Sequence, residues 1–283
     1  MTKHHVVFIR NPIHMDVSDV TKPVLKMLTY EPESPTSFFV LDKNDGRLIS
    51  HYDAKNFMFL HSVNAYKYKD GDDINIHVDL YSYDESTVSY TEYCLSNIAD
   101  PAEPYSNGVL TRYELAGIKK QQDSGKIGQV RIVQAIPGTS MELPRVAKSA
   151  SMNPSYRFVY ATGGNGESAP GSLVPIGCLG NGLKVVQSAF FNSIAKTDWE
   201  TGTFTKWKPT GGESCPCEPI FVERPGSTEE DDGVVLTIVC SKKGDHSVLV
   251  ALDAKSMKEV ARADLPQVYG MGPHGTYIEE ADA

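Results

Sequence analysis

The sequence predicts an all-β fold, and in particular a β-propeller. Short segments rich in Val, Ile, Phe, Tyr and Thr follow one another, separated by Gly, Asp, Asn and Pro. Long segments with helical periodicity are absent. Three hairpins share one form, in which a strand ends in an aspartate (Asp42, Asp198 or Asp253), a short tip follows and a second strand returns. Repeated hairpins among many short strands are typical of a propeller, and a β-sandwich with similar hairpins is the alternative.

Each predicted strand is bounded by turn residues. At the hairpin tips we expect the aspartate side chain to accept a backbone N–H from the turn, which closes it. No clear linker divides the chain, so we expect a single domain over residues 1–283. In chain order the predicted strands are HVVFIR, SFFVLD, RLISHYD, MFLHSVNAY, INIHVDLYSY, VLTRYEL, QVRIVQAI, YRFVYAT, LKVVQSAFF, EPIFVER, GVVLTIVC, SVLVALD and EVARADLP.

Composition excludes several classes of function. The chain has 283 residues, a net charge of -9 and no cluster of Lys and Arg. Phosphate contacts dominate nucleic-acid affinity, so we expect no nucleic-acid partner. The 5 cysteines form no disulfide pattern and are expected to be reduced thiols. No nucleophile elbow, phosphate loop or HExxH motif is present, so hydrolase chemistry has no support.

Four residues stand out as candidates for chemistry. His61 lies within the apolar segment FMFLHSVNAY, and His274 lies in the glycine-rich turn YGMGPHGTYI. Glu142 in SMELPRV and Glu218 in CEPIFVERP are each followed by a proline and apolar residues. A carboxylate at the start of an inner strand can orient a metal-bound imidazole through its Nδ1–H. The alternatives are structural histidines with ordinary hydrogen bonds and solvent-exposed glutamates at strand ends.

These segments resemble the carotenoid cleavage oxygenase family over residues 2–277. The resemblance is carried by FLHSVNAY with INIHVDLY, by MELPRV with SYRFVYAT, by EPIFVERPGSTEEDDGVVLTIV, and by VLVALDAKSMKEVARADLP with MGPHGTYI. These motifs are long, ordered and collinear. The resemblance implies a seven-bladed β-propeller with a ferrous iron on its axis, bound by four histidines, three of which are hydrogen-bonded by glutamates.

The resemblance also implies roles for the four candidates. His61 corresponds to the third iron ligand and His274 to the fourth, while Glu142 would orient His61 and Glu218 would orient His274. The implied activity is that of an iron(II)-dependent dioxygenase. It would cleave a carbon–carbon double bond of a carotenoid, apocarotenoid or stilbene-like substrate with O2, giving two carbonyl products.

The family pattern also places two ligand histidines and one glutamate upstream of this sequence. We therefore expect the chain to be the C-terminal part of such an enzyme, an incomplete propeller. The alternative is a non-catalytic relative that acts as a lipid-binding or protein-binding module. We expect a cytoplasmic location, and because such substrates dissolve in membranes, peripheral membrane contact stays open.

Overall fold

The computed structural model describes residues 1–22, 27–83, 108–139, 141–163, 192–210, 213–241, 245–269, 272 and 274–278. The chain divides into two compact units. Within the described residues, the first unit takes in Met1–Pro137 and Met152–Pro154, and the second takes in Gly138–Ser151 with residues 155–163 and 192–278. A single domain over 1–283 stays a prediction.

Among its described residues, the first unit contains two four-stranded sheets, a small hairpin and a short helix. One sheet has the order β1-β4-β5-β9, the other has the order β10-β8-β7-β6, and β2 pairs with β3. All of these pairings are antiparallel except that of β5 with β9. The strands are β1 (His5–Arg10), β2 (Ile13–Met15), β3 (Leu28–Tyr30), β4 (Thr36–Asp42), β5 (Leu48–Ala54), β6 (Met58–Asp70), β7 (Asp73–Tyr83), β8 (Val109–Leu115), β9 (Gly128–Gln129) and β10 (Arg131–Ile136).

A short helix, α1 (Ile118–Ser124), follows β8 and was not predicted. Seven residues are too few to show helical periodicity in a sequence. Its ends are set by Gly117 and Gly125, which both adopt left-handed backbone conformations. The Lys119 amide in its first turn donates to the Asp73 carboxylate at 3.0 Å. Within the described residues, no helix is long and apolar enough to cross a membrane.

The second unit contains a four-stranded sheet, β11-β12-β13-β14, and a five-stranded sheet. In the latter the order is β15-β17-β18-β19, with β16 also paired to β17. The strands are β11 (Met141–Arg145), β12 (Phe158–Gly163), β13 (Ser193–Asp198), β14 (Thr203–Trp207), β15 (Glu213–Pro216), β16 (Ile220–Glu223), β17 (Gly233–Ser241), β18 (Ser247–Asp253) and β19 (Lys258–Asp264).

Each unit has its own apolar core. In the first unit the core includes the stacked rings of Phe57 and Tyr113, whose centroids are 4.7 Å apart. In the second unit, Tyr160 stacks on Phe221 at 5.2 Å and packs with valines of β17 and β18. Burial of these side chains removes apolar surface from water, which is the main force that holds the sheets together.

The predicted hairpins are confirmed. They are β4–β5, β13–β14 and β18–β19, and each tip is closed by its aspartate. Asp42 Oδ1 accepts the Asn44 amide at 2.8 Å, and Asp198 Oδ1 accepts the Glu200 amide at 2.9 Å. Asp253 Oδ1 accepts an amide from its own tip at 2.8 Å. The predicted strand LKVVQSAFF lies outside the described residues, and each other predicted strand coincides with a strand of the structure.

Candidate metal centre

A β-bulge in β11 places Glu142 and Arg145 on one face of their sheet. Glu142 pairs with Thr162 and Arg145 pairs with Tyr160, so three steps along β11 match two along β12. Because paired residues share a face and faces alternate along a strand, the extra residue brings both side chains to the same face. Leu143 absorbs the bulge with a left-handed φ of 53°, which is strained for a branched residue.

Glu218 also lies at an interruption of regular pairing. Pro216 of β15 is opposite Val239, whereas Ile220 of β16 is opposite Leu236, so four steps on this side match three on β17. Pro219 has no N–H to donate to the ladder, which is why the strand breaks here. The Glu218 side chain is buried, with 4% exposed.

His61 lies at a third irregularity, within β6 of the first unit. Phe59 pairs with Ser82 and Ser62 pairs with Leu80, so β6 carries one extra residue in the segment that contains His61. The histidine is half-buried. Bulges are enriched next to active sites because they redirect a side chain. The predicted pairing of His61 with Glu142, which lies in the second unit, stays a prediction.

The structure brings Glu218 and His274 together within the second unit. Nδ1 of His274 lies 3.2 Å from Oε1 of Glu218. The other carboxylate oxygen, Oε2, accepts the Gly275 amide at 3.0 Å and Nη2 of Arg145 at 2.8 Å. The same Arg145 Nη2 donates to the Gly275 carbonyl at 2.7 Å. One buried carboxylate therefore holds a histidine, the backbone next to it and a guanidinium.

The contact with Glu218 decides which nitrogen of His274 suits a metal. A carboxylate accepts hydrogen bonds, so of the two neutral tautomers it favours the one with the hydrogen on Nδ1 and the lone pair on Nε2. Metal-bound histidines almost always have such a partner on the other ring nitrogen. The donor chemistry of this pair fits a histidine ligand for iron.

Across the part of the chain that the structure describes, no group of three or more His, Cys, Asp or Glu side chains is assembled to hold a metal ion. Among these residues, the pair of His274 and Glu218 is the arrangement that suits a metal ligand, and a complete set of ligands is a matter of proposal.

Cys217, the residue before Glu218, is a buried cysteine without a disulfide, and Cys240 is half-buried and also without one; the reduced state of the cysteines stays a prediction. A hydrogen bond from Cys240 lowers the pKa of the Cys217 thiol, although burial acts in the opposite direction. The Cys217 carbonyl accepts Thr237 Oγ1 at 2.9 Å, which anchors the chain beside Glu218.

Sequence reasoning missed Arg145. In a regular strand, residues three apart face opposite sides of the sheet, so Glu142 and Arg145 would not share a face. The one available signal is the proline between them, because a proline in a strand often marks an edge or a bulge.

Known relatives agree with the fold and with the motifs. Residues 1–279 match the protein-family model RPE65, described as retinal pigment epithelial membrane protein. The chain is 29% identical over 260 residues to carotenoid cleavage dioxygenase 8 homolog A, chloroplastic, of Oryza sativa subsp. japonica, which covers 87% of this chain and 40% of the relative. It is 26% identical over 316 residues to Beta,beta-carotene 15,15'-dioxygenase of Mus musculus, which covers 100% of this chain and 50% of the relative.

Solved structures show the same fold. Cobalt-substituted Synechocystis ACO has a TM-score of 0.69 at 21% identity, over 96% of this chain and 50% of that chain. An ACO/RPE65 chimera has a TM-score of 0.70 at 20% identity, over 99% of this chain and 52% of that chain. These neighbours are propeller-type oxygenases, so the predicted fold class, an incomplete β-propeller, is confirmed.

The fold is thus that of the propeller-type oxygenases. The chain belongs to the RPE65 family, that of the carotenoid cleavage oxygenases, and the resemblance seen in its motifs is confirmed. The chain spans about half the length of the curated relatives it matches, between 40% and 53%.

Proposed function

We propose that this chain forms part of the active site of an iron(II)-dependent dioxygenase that cleaves a carbon–carbon double bond of a carotenoid or apocarotenoid. The reaction consumes one O2 and converts the two alkene carbons into two carbonyl groups, so atoms balance without a further reductant. The observation that carries the proposal is the contact between Glu218 and His274 in a chain of this family.

In this proposal His61 and His274 hold the iron, and Glu142 and Glu218 orient them. When bound, ferrous iron supplies the dioxygen chemistry that amino-acid side chains lack. Four neutral histidines would leave the charge of the ion uncompensated, and the nearby carboxylates supply negative charge without occupying a coordination position.

The chain's own residues keep the ligand ready to bind. Glu218 accepts from Nδ1 of His274, and the carboxylate itself is buried, with 4% exposed, so a contact with the protein takes the place of its hydration. The Gly275 amide donates to the same carboxylate, so the turn that carries the histidine is held through its backbone as well. A rigid ligand loses less entropy when the metal binds.

The substrate class is inferred from the relatives, two of which are named for carotenoid cleavage and for β-carotene. A stilbene-like substrate remains within the proposal, because any extended apolar polyene or aryl alkene offers the same reacting bond. A cytoplasmic location stays a prediction, since relatives carry the words chloroplastic and mitochondrial in their names.

The iron assignment is tested on the protein as its gene encodes it, purified without oxygen. We expect His61→Ala and His274→Ala each to lower bound iron well below the unsubstituted protein, because each removes a ligand. His246→Ala is the matched control, since that histidine is exposed in a hairpin and contacts the neighbouring Asp245. Unchanged iron in both ligand variants would refute the assignment and favour the non-catalytic alternative.

The reaction is tested with β-carotene, an apocarotenal and a stilbene, each in detergent micelles under 18O2. We expect aldehyde or ketone products that carry the label from at least one substrate. An iron-loaded protein that yields no labelled carbonyl product from any of the three would overturn the proposed activity.

A further inference from the structure

Arg145 connects the three parts of the Glu218–His274 arrangement. Its Nη2 donates to Oε2 of Glu218 at 2.8 Å and to the carbonyl of Gly275 at 2.7 Å. Glu218 lies 73 residues further along the chain and Gly275 lies 130 residues further. A single guanidinium nitrogen therefore joins β11, the bulge before β16 and the turn that carries His274.

The two donors on Oε2 determine which oxygen of Glu218 is left to contact the histidine. Arg145 and the Gly275 amide both occupy the side of the carboxylate formed by Oε2, so Oε1 is the oxygen that meets Nδ1 of His274. Without the guanidinium, one strong charge-assisted contact that fixes the rotation of this carboxylate is lost. The plane of the carboxylate, and with it the direction of Oε1, is then held less firmly.

Arg145 also restrains the backbone next to the histidine. The Gly275 amide is held by Glu218 and the Gly275 carbonyl is held by Arg145, so both polar groups of this residue are engaged. A Cβ on Gly275 would lie 3.0 Å from Cδ1 of Ile220, so the glycine allows the turn to approach β16 this closely. The position of the His274 main chain follows from these contacts.

We propose that Arg145 is a positioning residue for the metal ligand His274. It holds Glu218 and the Gly275 backbone so that His274 keeps the tautomer and the orientation that a ligand needs. The proposal rests on the proposed function, in which His274 binds iron. The strained φ of Leu143 supports it, because that bulge is what brings Arg145 to the face it shares with Glu142.

The test compares arginine variants in the same unit. Arg145→Met removes the guanidinium and keeps an apolar side chain. Arg145→Lys keeps the positive charge, but its ammonium group lacks the planar geometry of the guanidinium. Arg157→Met is the matched control, because Arg157 is equally exposed, at 40% against 41%, and pairs with Asp198 and Glu200 instead. Fe2+ affinity is measured by chelator competition without oxygen. The Co2+-loaded proteins report ligand geometry by visible absorption, and thermal unfolding is recorded for the metal-free proteins.

We expect Arg145→Met to weaken Fe2+ binding by roughly 10- to 100-fold, the range for residues that orient a ligand, and to change the Co2+ spectrum. Arg145→Lys is expected to recover part of the affinity, and Arg157→Met to leave both readouts unchanged. Thermal unfolding of the metal-free proteins shows whether both variants fold, and Arg145→Met is expected to unfold at the lower temperature of the two, because it leaves the buried carboxylate of Glu218 without its guanidinium.

The outcomes separate this inference from the proposed function. Wild-type iron affinity and Co2+ spectrum in Arg145→Met, together with iron loss in His274→Ala, would overturn the inference and leave the proposed function standing. Full iron retention in His274→Ala would overturn the inference, and full retention in His61→Ala as well would overturn the proposed function. If Arg145→Met does not fold, Arg145→Lys decides: an altered Co2+ spectrum in a folded protein supports the inference, and an unchanged spectrum and affinity refute it.

Discussion

Replacing Glu218 by glutamine changes one oxygen of a buried carboxylate into an NH2 group and keeps the shape of the side chain. The structure indicates which oxygen is replaced. Oε2 accepts two N–H donors, from Arg145 and from the Gly275 amide. The contact of Oε1 is with Nδ1 of His274. The amide keeps more hydrogen bonds if its carbonyl oxygen takes the Oε2 position, so its NH2 faces His274.

An NH2 group that faces Nδ1 reverses the tautomer of the imidazole. Nδ1 must then accept, so the hydrogen moves to Nε2, and a protonated Nε2 cannot bind a metal. We expect Glu218→Gln to lower iron affinity by roughly 10- to 100-fold, which is about 1.4 to 2.8 kcal/mol. The metal-free protein should lose only about 1 kcal/mol of folding stability, because the amide oxygen still accepts from Arg145 and from the Gly275 amide, and Arg145 and His274 are partly exposed to water.

The assay is anaerobic competition for Fe2+ against a chromogenic chelator, with thermal unfolding of the metal-free protein recorded in parallel. Glu223→Gln is the matched control, since Glu223 is an exposed carboxylate on β16 that accepts from the amide and hydroxyl of Ser149. Iron affinity in Glu218→Gln equal to that of the control, in a protein that unfolds normally, would refute the tautomer reasoning.

Three further predictions concern stability. Asp79 is fully buried and accepts two hydrogen bonds of 2.9 Å from Arg112. Asp79→Asn should therefore lower the free energy of unfolding in urea by about 3 kcal/mol, against about 1 kcal/mol for Asp198→Asn, whose partner Arg157 is partly exposed. Equal losses in the two variants would contradict this reasoning. Gly233→Ala would put a Cβ 2.2 Å from a backbone carbonyl oxygen, so it should lower the folding stability by about 3 kcal/mol or more. Gly226→Ala meets open space and should lower it by about 1 kcal/mol, because its backbone is left-handed. Thermal unfolding of the two variants measures the difference. Burial lowers the pKa of Lys206 to about 8, so the unfolded chain binds more protons between pH 8 and its ordinary value of 10.5. Stability relative to Lys206→Met should therefore rise across that window, and a flat difference would refute the assignment.

The sequence by itself determined the local features of this protein. The hairpin aspartates, such as Asp42 and Asp198, act on amides two residues away, so their role depends on neighbouring residues alone. The strands followed from short apolar segments between turn residues. The helix α1 was missed because it is too short to show helical periodicity. The motifs around Glu218 and His274 also indicated the family, because long collinear segments carry that information without coordinates.

Only the tertiary structure decided how the candidate residues meet. Glu218 and His274 are 56 residues apart, and no local pattern states that Nδ1 faces Oε1. Arg145 could not be predicted as part of this site, because regular alternation would put it on the other face of the sheet from Glu142. The extra residue at Leu143 brings the two side chains to the same face. Bulges depend on the pairing of distant strands, where a gain in packing offsets local backbone strain, so the side-chain contacts they create become apparent only when the sheets have formed.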